Sequence, residues 1–135
     1  MPTALLVLLL LGLSTPALAQ PLVQPLTEVA GFFARDADFT GGVQVALCGL
    51  DASGNQWVVT APGPGGPPQF SAWLLTPGAP GGALGAFAVL AYHPDFAGGV
   101  QVACRFEPGG MLWIMTGAGP GGGPHVRVFT IQTAP

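Results

Sequence analysis

The amino-acid sequence predicts an all-β fold, and three observations support this prediction. A block of eight residues beginning at Phe39 returns at Phe96 with seven identities, and a block of nine beginning at Thr60 returns at Thr116 with six. The 22 glycines and 15 prolines lie between short runs of β-branched and aromatic residues, as turns lie between strands. No segment after the N-terminus has helical periodicity. Repeats spaced by 57 and 56 residues are typical of propellers or arrays, in which one repeat cannot bury its apolar face alone.

The N-terminal residues predict a secretory signal peptide. The apolar run Ala4–Leu13 is too short to span a bilayer, and Ala17-Leu18-Ala19 matches the A-x-A cleavage pattern. We therefore expect a signal peptide over residues 1–19, a linker over 20–28, a repeat domain over 29–135, and a location outside the cytoplasm. Residues before the run carry no Lys or Arg, so an uncleaved anchor is the alternative. No later run is long enough for a membrane span, so we expect none in the mature chain.

Each repeat is expected to form an antiparallel sheet of four short strands. The predicted strands are 43–47, 57–60, 69–75 and 84–91 in the first repeat, and 100–104, 112–116 and 125–131 in the second. Val29–Ala34 aligns with Ala86–Ala91, the fourth strand of the first repeat. It is therefore expected to pair beside 125–131 and complete a second four-stranded sheet. Packing of the two sheets as a sandwich, or a ring of several chains, remains open. The one-residue difference between the repeats is expected in the turn Glu107–Gly110.

The repeated blocks resemble FG-GAP repeats, also called integrin-α-like or VCBS-type repeats. The resemblance rests on Phe39–Ala46 and on Thr116–Phe129, and it extends over about residues 29–131. It implies blades of a β-propeller in an extracellular protein, with adhesion, ligand binding or scaffolding as the usual roles. It also implies a Ca²⁺ loop between the first and second strands of each repeat.

The sequence departs from the calcium pattern in both loops. In the first loop Asp51 and Ser53 are weak candidate ligands, and two side chains are few for an ion that takes six to eight oxygens. The second loop places Arg105 at a ligand position. We therefore expect no metal and no cofactor, and an ordinary hairpin turn at Asp51. Trp57 and Trp113 both occupy the position of the last ligand. Core packing is the preferred interpretation, and an exposed aromatic pair that contacts a ligand is the alternative.

Composition and motifs argue against several other functions. Three Arg, no Lys and a net charge of −3 do not favour nucleic-acid binding. The Gly-rich blocks lack the Lys and the following helix of a phosphate loop. His93 and His125 belong to no recognisable catalytic motif. We therefore expect no enzymatic activity and no catalytic residues.

Cys48 and Cys104 are the only cysteines, and each follows the repeated Val-Gln-Val-Ala strand. Export would place them in an oxidising compartment, which favours an intrachain Cys48–Cys104 disulfide. Facing sheets lie about 10 Å apart, whereas bonded cysteines need Cα atoms within about 7 Å. Two free thiols and an interchain bond therefore remain alternatives.

These observations predict a secreted, non-enzymatic binding or adhesion module with an unknown ligand. An extracellular protein or carbohydrate would be the ligand, and a homo-oligomer is compatible with the repeats. The alternative is a structural component of an extracellular matrix or cell envelope, which the sparse charge favours. An accessory domain of a hydrolase is a weaker third hypothesis.

Overall fold

The computed structural model describes residues 25–76, 78 and 82–133, and over these ranges the chain is all-β with no helix. The fold-class prediction is confirmed. The predicted signal peptide lies outside the described residues. No helix in the described ranges is long and apolar enough to cross a membrane. The seven strands are β1 Val43–Leu50, β2 Gln56–Pro62, β3 Gln69–Leu75, β4 Ala83–Leu90, β5 Val100–Glu107, β6 Met111–Ala118 and β7 Val126–Gln132.

The strands form two antiparallel sheets, one from each repeat. The first sheet has the order β1-β2-β3-β4 and the second has the order β5-β6-β7. Within each sheet, strands adjacent in sequence are therefore adjacent in space, as the Gly- and Pro-rich turns between them predict.

The second sheet has three strands among the described residues, and the predicted closing strand is wrong. Val29–Ala34 is not in a strand. Its Phe32 ring lies 4.8 Å from the ring of Trp73 on β3, and Ala30 packs against Gly82 before β4. The segment therefore covers part of the first sheet, because an aromatic contact is available there and Gly31 weakens a strand in this position.

The two sheets pack on each other through one face of each. Directly opposed residues on neighbouring strands share a face, and the registers identify the inner residues. The central ones are Ala46, Val59 and Ala72 in the first sheet, and Cys104, Ile114 and Phe129 in the second. Most of the buried hydrophobic residues lie between these two faces, so the core is shared by the two repeats.

Aromatic contacts join the two inner faces. The rings of Phe70 and Phe129 have centroids 5.1 Å apart, and Trp57 stacks on Phe106 at 6.3 Å. Each pair combines one residue of the first sheet with one of the second. Aromatic pairs of this kind add to the stability gained from burial.

A disulfide between Cys48 and Cys104 links β1 to β5, with Cα atoms 4.9 Å apart. The predicted intrachain pairing is confirmed. The separation is shorter than the usual distance between sheets because the first strands of the two sheets approach each other closely.

Cys48 is the extra residue of a β-bulge in β1. The register with β2 shifts between Leu47 and Gly49, whereas β5 and β6 pair without a shift. The predicted one-residue difference in the turn Glu107–Gly110 is therefore wrong, since the difference lies in β1. A bulge redirects the side chain at its position, and here the added residue forms half of the disulfide.

The Gly/Pro blocks fold back on the double glycine that begins each repeat. Gly63 donates its N–H to the carbonyl of Gly42 at 2.8 Å, and Gly119 does the same to Gly99 at 2.9 Å. A side chain on Gly63 or Gly119 would overlap the backbone of the facing segment. The repeated glycines are therefore required by a close backbone approach in both repeats.

Candidate functional site: the cleft between two turns

A cleft of about 480 Å³ lies between the turn after β1 and the turn after β5. The packing of the sheets brings these two turns to the same end of the molecule. The cleft is lined by Leu50, the turn residues Asp51, Ala52 and Ser53, Phe106, Pro108, Gly109 and Gly110. Its wall is mostly apolar, with polar groups supplied by the first turn.

Asp51 holds the first turn together. Its Oδ1 accepts the backbone N–H groups of Ser53 and Asn55, each at 2.9 Å, and its Oδ2 accepts the Asn55 amide at 3.1 Å. Desolvation raises the pKa of Asp51, but the hydrogen bonds from Asn55 and Ser53 outweigh it and hold this pKa below its ordinary value. The indole N–H of Trp57 also lowers the pKa without reaching hydrogen-bonding geometry.

Glu107 occupies the corresponding place at the second turn. It accepts hydrogen bonds from Arg105 and from Trp113 Nε1, the latter at 3.0 Å. The longer carboxylate reaches its tryptophan, whereas Asp51 in the first repeat is engaged by its own turn. Nε1 of Trp57 is consequently buried with no hydrogen-bond partner in the part of the chain that the structure describes.

The second turn is also tied to the end of β7. Thr133 donates its backbone N–H and its hydroxyl to the carbonyl of Gly110, both at 2.8 Å. The Gln132 side-chain amide donates to the carbonyl of Gly109 at 2.7 Å. Both walls of the cleft are thus fixed by hydrogen bonds, so the site is preformed.

The predicted weak metal candidates Asp51 and Ser53 lie together in the first turn. Both carboxylate oxygens of Asp51 already accept hydrogen bonds, and the backbone N–H of Ser53 is one of the donors. Within the ranges given above, no group of three or more His, Cys, Asp or Glu residues is placed to hold a metal ion. What this arrangement offers chemically is an apolar binding surface beside a polar turn.

The two predicted aromatic residues do not form one surface. Trp57 is 8% exposed and lies between the sheets, whereas Trp113 is 38% exposed on the outer face of the second sheet. Core packing therefore holds for Trp57 alone.

The two histidines lie away from the cleft lining. In an exposed loop, Nδ1 of His93 accepts a hydrogen bond from the backbone N–H of Asp95 at 3.3 Å. The carbonyl of His125 accepts a hydrogen bond from the Tyr92 hydroxyl at 2.8 Å.

Sequence reasoning missed Leu50, Phe106 and Pro108 as site residues. A signal was present, since Leu50 and Phe106 occupy corresponding positions at the ends of the first strands of the two repeats. Two apolar residues at matching strand ends indicate a shared apolar patch once the sheets are stacked.

No protein-family model, curated protein or solved structure matches the chain. The resemblance to FG-GAP repeats therefore stays a prediction from the repeated residues.

Proposed function

We propose that the chain is a secreted, non-enzymatic binding module of the FG-GAP type, and that the cleft between the two turns is its ligand site. The observation that carries this proposal is the apolar wall formed by Leu50, Phe106 and Pro108 beside the polar turn of Asp51. Preformed clefts with a mainly apolar lining and a few fixed polar groups are the usual form of a binding site.

The scaffold supports such a role because it holds the cleft rigidly. The disulfide joins β1 to β5, the two strands that lead into the turns. Phe106 is fixed from behind by its stacking on Trp57. A preorganised surface loses little conformational entropy on binding.

The chemistry of the wall favours an extracellular protein as the ligand. Leu50 is 62% exposed, and it offers apolar contact to a side chain of the partner. A sugar ring would need an open aromatic face in the cleft, but neither Trp57 nor Trp113 lines it, and the Phe106 ring is stacked on Trp57. An extended peptide segment with one apolar side chain fits this surface best.

The disulfide agrees with a location outside the cytoplasm, since such bonds persist in oxidising compartments. The predicted signal peptide supports the same location.

The alternative, a structural component of an extracellular matrix or envelope, is favoured by a different observation. Large apolar side chains are exposed on both sheets, and surfaces of this kind mark sites of association.

The proposal is tested by selecting ligands for the purified chain from a displayed peptide library, with a glycan array in parallel. We expect peptides with an apolar anchor, whose affinity falls at least about tenfold for Ala52→Arg because the new side chain fills the cleft. Ala37→Arg is the matched control, since Ala37 is also exposed and lies in a turn at the opposite end of β1. Selection of glycans alone, of no ligand, or equal binding by both variants would contradict the proposal.

A further inference from the structure

The two repeats contact each other through faces that do not correspond. The second sheet uses the face that carries Val100, Val102 and Cys104, whereas the matching residues Val43, Val45 and Leu47 lie on the face of the first sheet that points away from the second. The contact is therefore head-to-tail. Among the described residues, apolar side chains without a partner lie on the outer face of the second sheet and on the β1 side of the outer face of the first sheet, whose β3 side is covered by Phe32. These two unpartnered surfaces are complementary by sequence.

Residues at corresponding positions of the two repeats differ in exposure, because one repeat buries the face that the other leaves open. Val43 is 41% exposed while Val100 is fully buried, and Met115 is 48% exposed while its counterpart Val59 is fully buried. The open face of the first sheet is defined by Val43, Val45 and Leu47. The open face of the second sheet is defined by Trp113, Met115, Val126 and Val128.

We propose that a second copy of this chain places its open first-sheet face on the open second-sheet face of the first copy. The new contact would repeat the one already made within the chain, with Val43 and Val45 in the places of Val100 and Val102. The repeat identifies a second copy of the chain as the partner of the open second-sheet face. Val43 and Val45 on the open face of the first sheet correspond to Val100 and Val102, which already pack against a sheet inside the molecule.

Backbone groups extend the same correspondence. Within the chain, Gly65 donates its N–H to the carbonyl of Ala97 at 2.8 Å and so ties the first Gly/Pro block to the second repeat. The matching groups on the open side are the N–H of Gly121 and the carbonyl of Thr40. Gly121 has a φ of 86° and Gly65 a φ of 96°, so the two blocks present this N–H from the same backbone conformation.

Charge does not oppose the contact. Arg105 lies on the open second-sheet face directly opposite Trp113, at the end next to the turn, and its guanidinium is paired with Glu107. Glu107 also accepts a hydrogen bond from Trp113. The pair forms a neutral polar rim, and polar rims around apolar centres are usual in interfaces.

The contact between copies would be non-covalent and thus reversible. Both cysteines are already joined within the chain, and Leu47 stands where β5 carries Cys104. Phe32 covers Trp73 at the β3 side of the first sheet and leaves the β1 side open. A head-to-tail contact leads to a closed ring or to an open filament.

The test is sedimentation of the purified chain, expressed from its full coding sequence, over a range of concentrations. We expect assemblies larger than a monomer that dissociate on dilution and run as single chains on a non-reducing denaturing gel. Leu47→Asp removes one open face and Val128→Asp removes the other, so each variant alone should sediment as a monomer. An equal mixture of the two should give a heterodimer that grows no further, because only one intact face of each kind remains.

Leu84→Asp is the matched control, because Leu84 is 70% exposed and Leu47 is 69% exposed. Leu84 lies on the edge strand β4 opposite Leu74, so it belongs to neither open face. It should associate like the unchanged chain. Retention of the Cys48–Cys104 bond checks folding, and Val45→Asp replaces Leu47→Asp if that variant does not fold. A monomer at every concentration, association of either variant alone, or a mixture without heterodimer would overturn the proposal.

Discussion

Asp51 and Glu107 show how one methylene group changes the role of a carboxylate at corresponding positions. Glu107 reaches Trp113, whereas Asp51 accepts hydrogen bonds from its own turn and leaves the indole N–H of Trp57 without a partner. A hydrogen-bonded Asp in a turn could be predicted from the sequence, because short polar side chains bond to nearby backbone groups. The buried indole N–H of Trp57 could not be predicted from the sequence, since the burial of Trp57 depends on the second sheet.

The first prediction concerns the pH dependence of stability through Asp51. Its pKa is lower in the folded chain than in the unfolded chain, so its contribution is fully present above the unfolded value of about 3.9 and is lost as pH falls through the folded value. Asp51→Asn should therefore lower the urea midpoint at neutral pH and approach the unchanged chain at about pH 2. An equal loss at both pH values would show that the charge has no role.

The second prediction compares two corresponding residues, Phe70 and Val126. Phe70 is 1% exposed and packs on Phe129, whereas Val126 is 67% exposed. Phe70→Ala should lower the free energy of unfolding by about 3–5 kcal/mol, and Val126→Ala should change it by less than about 0.5 kcal/mol in dilute solution. Denaturant unfolding measures both, and similar losses would contradict the assigned stacking of the sheets.

At the scale of elements, the bulge in β1 and the disulfide form one unit. The bulge adds Cys48 to the strand, and Gly49 follows it with a φ of 133°. A Cβ on Gly49 would lie 3.4 Å from the Cβ of Phe106. The bulge therefore depends on a residue that tolerates this backbone conformation and leaves space for the neighbouring strand.

The third prediction is that Gly49→Ala is destabilising by about 1–3 kcal/mol, since it forces an unfavourable backbone conformation. Gly123→Ala is the control, because Gly123 has open space around its Cβ position and no positive φ. Thermal unfolding of both variants provides the measurement. Equal melting temperatures would argue against the bulge geometry.

The fourth prediction concerns the disulfide. Replacing both cysteines by Ala removes a cross-link between residues separated by 56 positions, and the chain-entropy estimate for such a loop is about 4 kcal/mol. We expect a loss of this size in denaturant unfolding under oxidising conditions. A double variant as stable as the unchanged chain would mean that the core alone holds β1 against β5.

The seven strands could be predicted because Gly and Pro clusters bound each apolar run. The bounds of β1 were too short, since the bulge extends the strand beyond Leu47 to Leu50. Its position is hidden in the sequence because a one-residue difference fits equally well in the strand and in the turn. The closing strand at Val29–Ala34 was predicted by alignment alone. The segment instead packs on the first sheet through the contact of Phe32 with Trp73.

At the scale of the molecule, repeated sequences do not have repeated environments. Two repeats stacked head-to-tail bury one face of each and expose the other, so Trp57 and Trp113 differ although their positions correspond. The repeat could be read from the sequence, but which face is buried depends on the order of the two sheets in space. The order of the two sheets in space also determines which two complementary faces stay open.

The most direct measurement is oxidative footprinting of the unchanged chain, read by mass spectrometry at Trp57 and Trp113 over a range of concentrations. We expect Trp113 to oxidise much faster than Trp57 in dilute solution, because only Trp57 lies between the sheets. We also expect Trp113 to become protected as the concentration rises and a second copy covers it. Equal rates in dilute solution would contradict the head-to-tail stacking within the chain, and a Trp113 rate independent of concentration would contradict the stacking of copies.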